Sequence, residues 1–174
     1  MEERRNIKIE KNFLPPIFYN KLKSIIISNT FPWYYLPKTV KYSDNNFMFN
    51  HTLLCFDKTC ISSNWFKDFE PILYFLNDKI KLKKLVRMRL NLYTNQNKVV
   101  EHEAHIDISK NGQADPNVTI SILNFTTCNG GTVIKGKKYP SNENELLIFN
   151  NINKHFGIVQ TDTQSRIVLN IATN

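Results

Sequence analysis

The sequence predicts a mainly β protein, an antiparallel sandwich or barrel, supported by helices near its start. Three observations carry this prediction. Apolar residues recur at helical spacing only in the first part, and from Leu85 onward the period falls to two. Turn signals then punctuate short strands with no helix between them: Asn-Gly at 111–112, Asn-Gly-Gly at 129–131 and Pro-Ser-Asn-Glu-Asn at 140–144. No repeat, linker or low-complexity tract interrupts the 174 residues, so one domain is expected, 1–84 as helical support and 85–174 as stranded core.

The elements follow in order. Pro15 and Pro16 sit where a helix opens, because the missing N–H costs nothing in the first turn. Ile17, Phe18, Leu22, Ile25 and Ile26 then share a face until Asn29 and Pro32. A second helix is expected over 63–84, with Trp65, Phe69, Ile72, Leu73, Leu76 and Ile80 on one face and a break at Pro71. Strands are expected at 85–93, 118–125, 132–134 and 145–149. A closing hairpin follows, with its turn at Thr161-Asp162-Thr163-Gln164.

Composition narrows the function classes. No stretch approaches the roughly 18 apolar residues of a membrane span, and no apolar run follows the charged start, so a soluble, cytoplasmic, monomeric protein without a membrane partner is expected. Cys55, Cys60 and Cys128 are odd in number and include no C-x-x-C pair, which argues against a disulfide framework and a zinc knuckle and for reduced thiols. Part of the net charge of +8 lies in Lys79, Lys81, Lys83, Lys84 and Arg87. With no RNA-binding signature beside it, this run reads as a solvated surface, and nucleic acid is a secondary partner.

The chemistry concentrates around His105-Ile106-Asp107. Residues at i and i+2 of a strand share a face, so an imidazole and a carboxylate converge there. The third ligand must come from His51, His102 or His155. Glu101-His102-Glu103-Ala104-His105 is one residue short of the H-E-x-x-H zinc pattern, and His102 and His51 are expected to be structural. In the closing hairpin, pairing Gln160 with Ser165 puts His155 opposite Asn170 and Val159 opposite Arg166. His155, Gly157, Val159, Arg166, Val168 and Asn170 then share one face. His155 and Arg166 would stand about 13 Å apart along the strands, a gap that a dicarboxylic acid can bridge from a metal to a guanidinium. Two histidines and one carboxylate with open positions is the facial triad of non-haem Fe(II) oxygenases.

On these residues the chain resembles the prolyl-hydroxylase-like Fe(II)/2-oxoglutarate-dependent dioxygenases, especially small phage and marine bacterial members. The matches are His105-Ile-Asp107, His155 48 residues later, and Arg166 11 residues after that. Leu90-Asn91-Leu92-Tyr93, Leu123-Asn124, Gly130-Gly131-Thr132, Leu147-Ile148-Phe149-Asn150 and Phe31-Pro32-Trp33-Tyr34-Tyr35 add to them. The resemblance implies a double-stranded β-helix (jelly-roll, cupin-like) core. It also implies His105, Asp107 and His155 as iron ligands and catalytic centre, and Arg166 on the distal carboxylate of 2-oxoglutarate. Tyr93 would join Arg166, while Ile122 replaces a tyrosine found in many relatives and leaves that pocket with less phenolic help. The implied cofactors are Fe(II), 2-oxoglutarate and O2, with ascorbate as an accompanying reductant. The implied reaction is hydroxylation of a C–H bond, first of a prolyl residue in a protein or peptide, with conversion of 2-oxoglutarate to succinate and CO2. A non-catalytic iron or 2-oxoglutarate sensor and a nucleic-acid demethylase are the alternatives. Trp33, Tyr34 and Tyr35 are expected to pack in core and loop, and 111–117, carrying Gly112 and Pro116, is the candidate lid.

Overall fold

The computed structural model describes residues 7–39, 46–55 and 63–174; Cys60 lies outside them. Among the described residues of the first half there are three helices. Helix α1 (Pro16–Ile26) starts at the predicted proline and buries Tyr19, Leu22 and Ile26. Helices α2 (Phe66–Phe69) and α3 (Ile72–Asn77) are separated at Pro71 as expected. Helix α3 stops well before Lys84. The backbone N–H groups of Lys83 and Lys84 donate to the Asn174 carbonyl, which captures the segment as extended chain leading into the next strand.

The first 84 residues also supply three strands, which the helical reading missed: β1 (Lys8–Glu10), β2 (Tyr34–Leu36) and β3 (Met48–Cys55). Strand β3 buries Met48, His51 and Leu53 at irregular intervals, and its bulge near Thr52 breaks the period-two pattern that would have marked it. The second half provides β4 (Leu85–Thr94), β5 (Ser109–Lys110), β6 (Gln113–Ala114), β7 (Thr119–Asn124) and β8 (Cys128–Ile134). It continues with β9 (Lys137–Ser141), β10 (Leu146–Asn150), β11 (His155–Ile158) and β12 (Ser165–Thr173).

A seven-stranded sheet runs in the order β1-β10-β7-β12-β4-β3-β2, and a three-stranded sheet in the order β11-β8-β9. One face of the large sheet, including Met88, Leu90, Leu169 and Ile171, packs with Leu22, Phe69, Ile72 and Leu76 from the helices. Its other face, including Ile120, Ile122, Val168 and Ala172, packs with Ile134 and Tyr139 of the small sheet. The double-layered β core expected from the period-two half is therefore present, with β4 and β12 at its centre.

Two local expectations are overturned. The closing strands do not form a hairpin: β11 pairs with β8, whereas β12 pairs with β4 and β7. The chain crosses between sheets over 159–164, so the proposed pairing of Val159 with Arg166 does not occur. Asn129-Gly130-Gly131 is likewise not a turn but part of β8, with a bulge between Cys128 and Gly131. Gly131 serves close approach, since a Cβ there would lie 2.5 Å from the Tyr139 carbonyl oxygen. The turn instead forms at Lys135-Gly136, both at positive φ, between β8 and β9. Asn111-Gly112 makes the expected turn, joining β5 to β6.

The expectation of reduced thiols fails at Cys55, which is disulfide-bonded, while Cys128 is free and buried. An odd cysteine count forbids complete pairing, not a single bridge. No described helix is long and apolar enough to cross a membrane.

Candidate metal centre

The space between the sheets is a cavity whose walls come from both. On β4 the side chains Arg89, Asn91 and Tyr93, two residues apart, point into it, as do Arg166, Val168 and Asn170 on β12. Ile122 of β7, Thr132 of β8 and His155 and Gly157 of β11 complete it, with His102, His105 and Asp107 entering from the 95–108 segment.

That segment is not a regular strand at the metal motif, yet it is pinned. His105 and His155 exchange backbone hydrogen bonds of 3.0 Å in both directions, and the His102 N–H donates to the Gly157 carbonyl at 3.0 Å. On the far side of the motif Asn151 accepts from the Ile108 N–H at 3.1 Å and donates to the Ile108 carbonyl at 2.7 Å. Position, not strand periodicity, therefore brings His105 and Asp107 together. The ring centroids of His105 and His155 are 4.6 Å apart.

A carbonyl can only accept, so the Nδ1–H of His105 donates to the Glu103 carbonyl at 3.1 Å and that of His155 to the Asn153 carbonyl at 3.4 Å. Both Nε2 atoms are thereby left to face the site. Asp107 Oδ1 accepts from Arg87 Nη2 at 2.5 Å. Its Oδ2 accepts from Asn170 Nδ2 at 3.1 Å and lies 3.2 Å from His155 Nε2. The three ligand atoms lie within 4.8 Å of one another. Burial alone would raise the Asp107 carboxyl, but the Arg87 guanidinium and the His155 ring outweigh it and hold it well below the usual carboxylate range. Burial and the charge of His155 push the His105 imidazole down, which keeps it neutral and able to coordinate.

The other end of the cavity holds Arg166, directly opposite Tyr93 in the β12–β4 register and 2% exposed. Its Nη2 donates to Thr132 Oγ1 at 3.1 Å, its Nε has no partner, and its guanidinium lies 5.5 Å from the Tyr93 ring centre. Burial pushes the Tyr93 phenol up, so the phenol stays neutral beside it. Glycines make this packing possible: a Cβ on Gly130 would lie 2.8 Å from the Ile158 carbonyl oxygen and 3.2 Å from Arg166 Cδ. One on Gly157 would lie 3.3 Å from His102 Nδ1.

The structure thus brings His105, Asp107 and His155 to one end of a single cavity and Arg166, Tyr93 and Ile122 to its lining. His51 lies elsewhere, bonded to the Pro32 carbonyl at 2.7 Å and to Ser63 Oγ at 2.8 Å, while His102 lines the cavity against Tyr93. Trp33 packs on Phe31, whereas Tyr34 and Tyr35 expose their rings on β2. Sequence reasoning missed Arg87, Arg89 and Asn91, and it assigned Arg87 to a solvated basic run. The available signal was Arg87-Met88-Arg89-Leu90-Asn91-Leu92-Tyr93, a strand apolar on one side and polar on the other in a half expected to be core.

No protein-family model matches the sequence, and no curated protein matches it significantly. Solved structures do. The fold is the double-stranded β-helix of 2OG-Fe(II) oxygenases. A Burkholderia pseudomallei oxidoreductase of that family superposes with a TM-score of 0.71 at 8% identity, over 96% of this chain and 84% of that one. A prolyl-4-hydroxylase from Pseudomonas putida superposes with a TM-score of 0.63 at 9% identity, over 99% and 94%. The viral collagen prolyl hydroxylase of Paramecium bursaria Chlorella virus-1, solved with 2OG, gives 0.62 at 11% identity, over 98% and 96%.

Proposed function

We propose that this protein is an Fe(II)- and 2-oxoglutarate-dependent dioxygenase that hydroxylates a C–H bond, with a prolyl residue of a protein or peptide as the leading substrate. One observation carries the reading. A half-buried donor set of two imidazoles and one carboxylate lies in the same cavity as a buried guanidinium that forms no salt bridge among the described residues. Both features fit absent groups: the donor set suits a divalent ion with positions left open, and Arg166 suits the far carboxylate of a short diacid.

In this reading His105 and His155, through their Nε2 atoms, and the Asp107 carboxylate would hold the metal. Asn170 and Arg87 orient the carboxylate. Arg166 fixes the distal carboxylate of 2-oxoglutarate, Thr132 steadies the guanidinium, and Tyr93 and Ile122 shape its pocket. Together, the bound ion, 2-oxoglutarate and O2 supply an oxidation that yields succinate and CO2 and places a hydroxyl on the substrate. The protein contributes position, a largely enclosed site and a neutral His105. The prolyl assignment draws on the prolyl hydroxylases among the structures of the same fold.

The test is turnover. Iron-loaded protein incubated with 2-oxoglutarate under air is expected to form succinate, and Asp107→Ala to form none. Equal succinate from wild type and Asp107→Ala would sink the proposal.

A further inference from the structure

We propose that Arg89 reads a carboxylate on the substrate, so that the molecule oxidised in this cavity is an acid, with its carboxylate close to the carbon that reacts. This rests on the oxygenase reading above and deepens it. The cavity holds Arg89 and Arg166, and Arg87 stands at its metal end. Arg87 is committed to Asp107 and also donates to Asn170 Oδ1 at 3.2 Å. Arg166 lies at the Tyr93 end, where the cosubstrate belongs. Arg89 is left over.

Its place in the register separates it from Arg166. Arg89 stands directly opposite Asn170 on one side and Thr52 on the other, whereas Arg166 stands opposite Tyr93. The four residues from Arg89 to Tyr93 span about 13 Å of strand. Arg89 is therefore beside the metal end, since Asn170, its partner across the ladder, donates to Asp107. A single diacid reaching from the metal to Arg166 extends away from it.

Asp107 attracts Arg89 from within the cavity without contacting it. The Arg89 Nε is enclosed without a hydrogen-bond partner, and Arg89 forms no salt bridge among the described residues. Among the described residues Asp107 is the one carboxylate lining the cavity, and its oxygens are occupied by Arg87, Asn170 and His155. Once a divalent ion and a dicarboxylate are bound, three guanidinium groups leave the site with excess positive charge. A planar fork in a partly enclosed wall suits a planar carboxylate, which would relieve the burial of Arg89 and the repulsion from Arg87. The acid has two chemical sources: the α-carboxylate of a free amino acid, proline included, or the acidic side chain of a residue flanking the target in a peptide.

The experiment measures binding without turnover. Zn(II)-loaded protein, with and without 2-oxoglutarate, is titrated with free amino acids and with capped Glu-Pro and Asp-Pro peptides, each beside its carboxamide. At least one acid is expected to bind about tenfold or more tighter than its amide, the scale of a hydrogen-bonded charge pair. Which pair responds identifies the source. Arg89→Gln should erase the preference, and Arg89→Lys should retain part of it. Affinity for 2-oxoglutarate should change little in either variant. Equal binding of every acid and its amide by the wild type overturns the proposal, and that comparison needs no variant. So does a loss of 2-oxoglutarate affinity in Arg89→Gln that matches the loss for the acid. Failure of the oxygenase reading is seen separately, as absent succinate in wild-type protein whose acid preference remains measurable.

Discussion

At the scale of single residues, the site depends on groups that fix other groups. Arg87 donates to Asp107 and to Asn170, and Asn170 donates to Asp107, so a closed triangle holds the carboxylate. Arg87→Gln should lower metal affinity by about 10–100-fold, the usual cost of losing a partner that orients a ligand. Titration of the metal-free variant with Zn(II) or Mn(II) checks this, and unchanged affinity would remove Arg87 from the metal's support. The grouping of His105, Asp107 and His155 was legible in the sequence because His-x-Asp, a distal histidine and a trailing arginine are local, ordered signals. The supporting residues were not. Alternation over Arg87–Tyr93 puts Arg87 on the polar side of its strand, but that this side faces a cavity depends on β4 lying between β12 and β3, and long-range pairing leaves no mark at a single position.

At the scale of elements, the sequence revealed periodicity and concealed partnership. The strands at Leu85–Thr94, Thr119–Asn124 and Leu146–Asn150 fall where alternation puts them, and α2 and α3 divide at Pro71. Strands β1 and β2 escaped because three residues are too few to show a period, and β3 because its bulge interrupts one. The hairpin reading of 155–170 erred instructively: Arg166, Val168 and Asn170 do face inward with His155, but from the opposing sheet. Gly130 sits at this junction. Gly130→Ala forces a methyl toward the Ile158 carbonyl and Arg166 Cδ, and should cost about 1–3 kcal/mol of stability, as overpacking does. It should also weaken 2-oxoglutarate binding by displacing Arg166. Chemical denaturation and ligand titration read the two effects, and a variant as stable as wild type would contradict the packing argument.

At the scale of the whole molecule, burial of titrating groups sets the response to acid. Burial pushes both His51 and His105 below their ordinary value near 6.5, so the folded metal-free protein keeps them neutral while the unfolded chain protonates. Their contribution is intact above that value and declines as pH falls below it. Asp107, held far down, adds a further loss once pH drops below about 4, where an unfolded carboxylate takes up its proton. Thermal unfolding of the metal-free protein should therefore shift little between pH 7 and 9 and fall on acidification. A midpoint that rises from pH 7 to 5 would reverse the sign. The crossing of the chain over 159–164 has a mechanical consequence. Because His155 hangs from the small sheet while Arg166 and Asn170 hang from the large one, the proposed ligand, held between metal and guanidinium, would act as a tie-bar between layers. With metal already bound, 2-oxoglutarate at about 100 times its dissociation constant should add roughly 2.7 kcal/mol of stability. Hydrogen exchange should slow in β11 and β12 alike, although the two strands share no ladder; protection confined to one sheet would show that the tie-bar does not form.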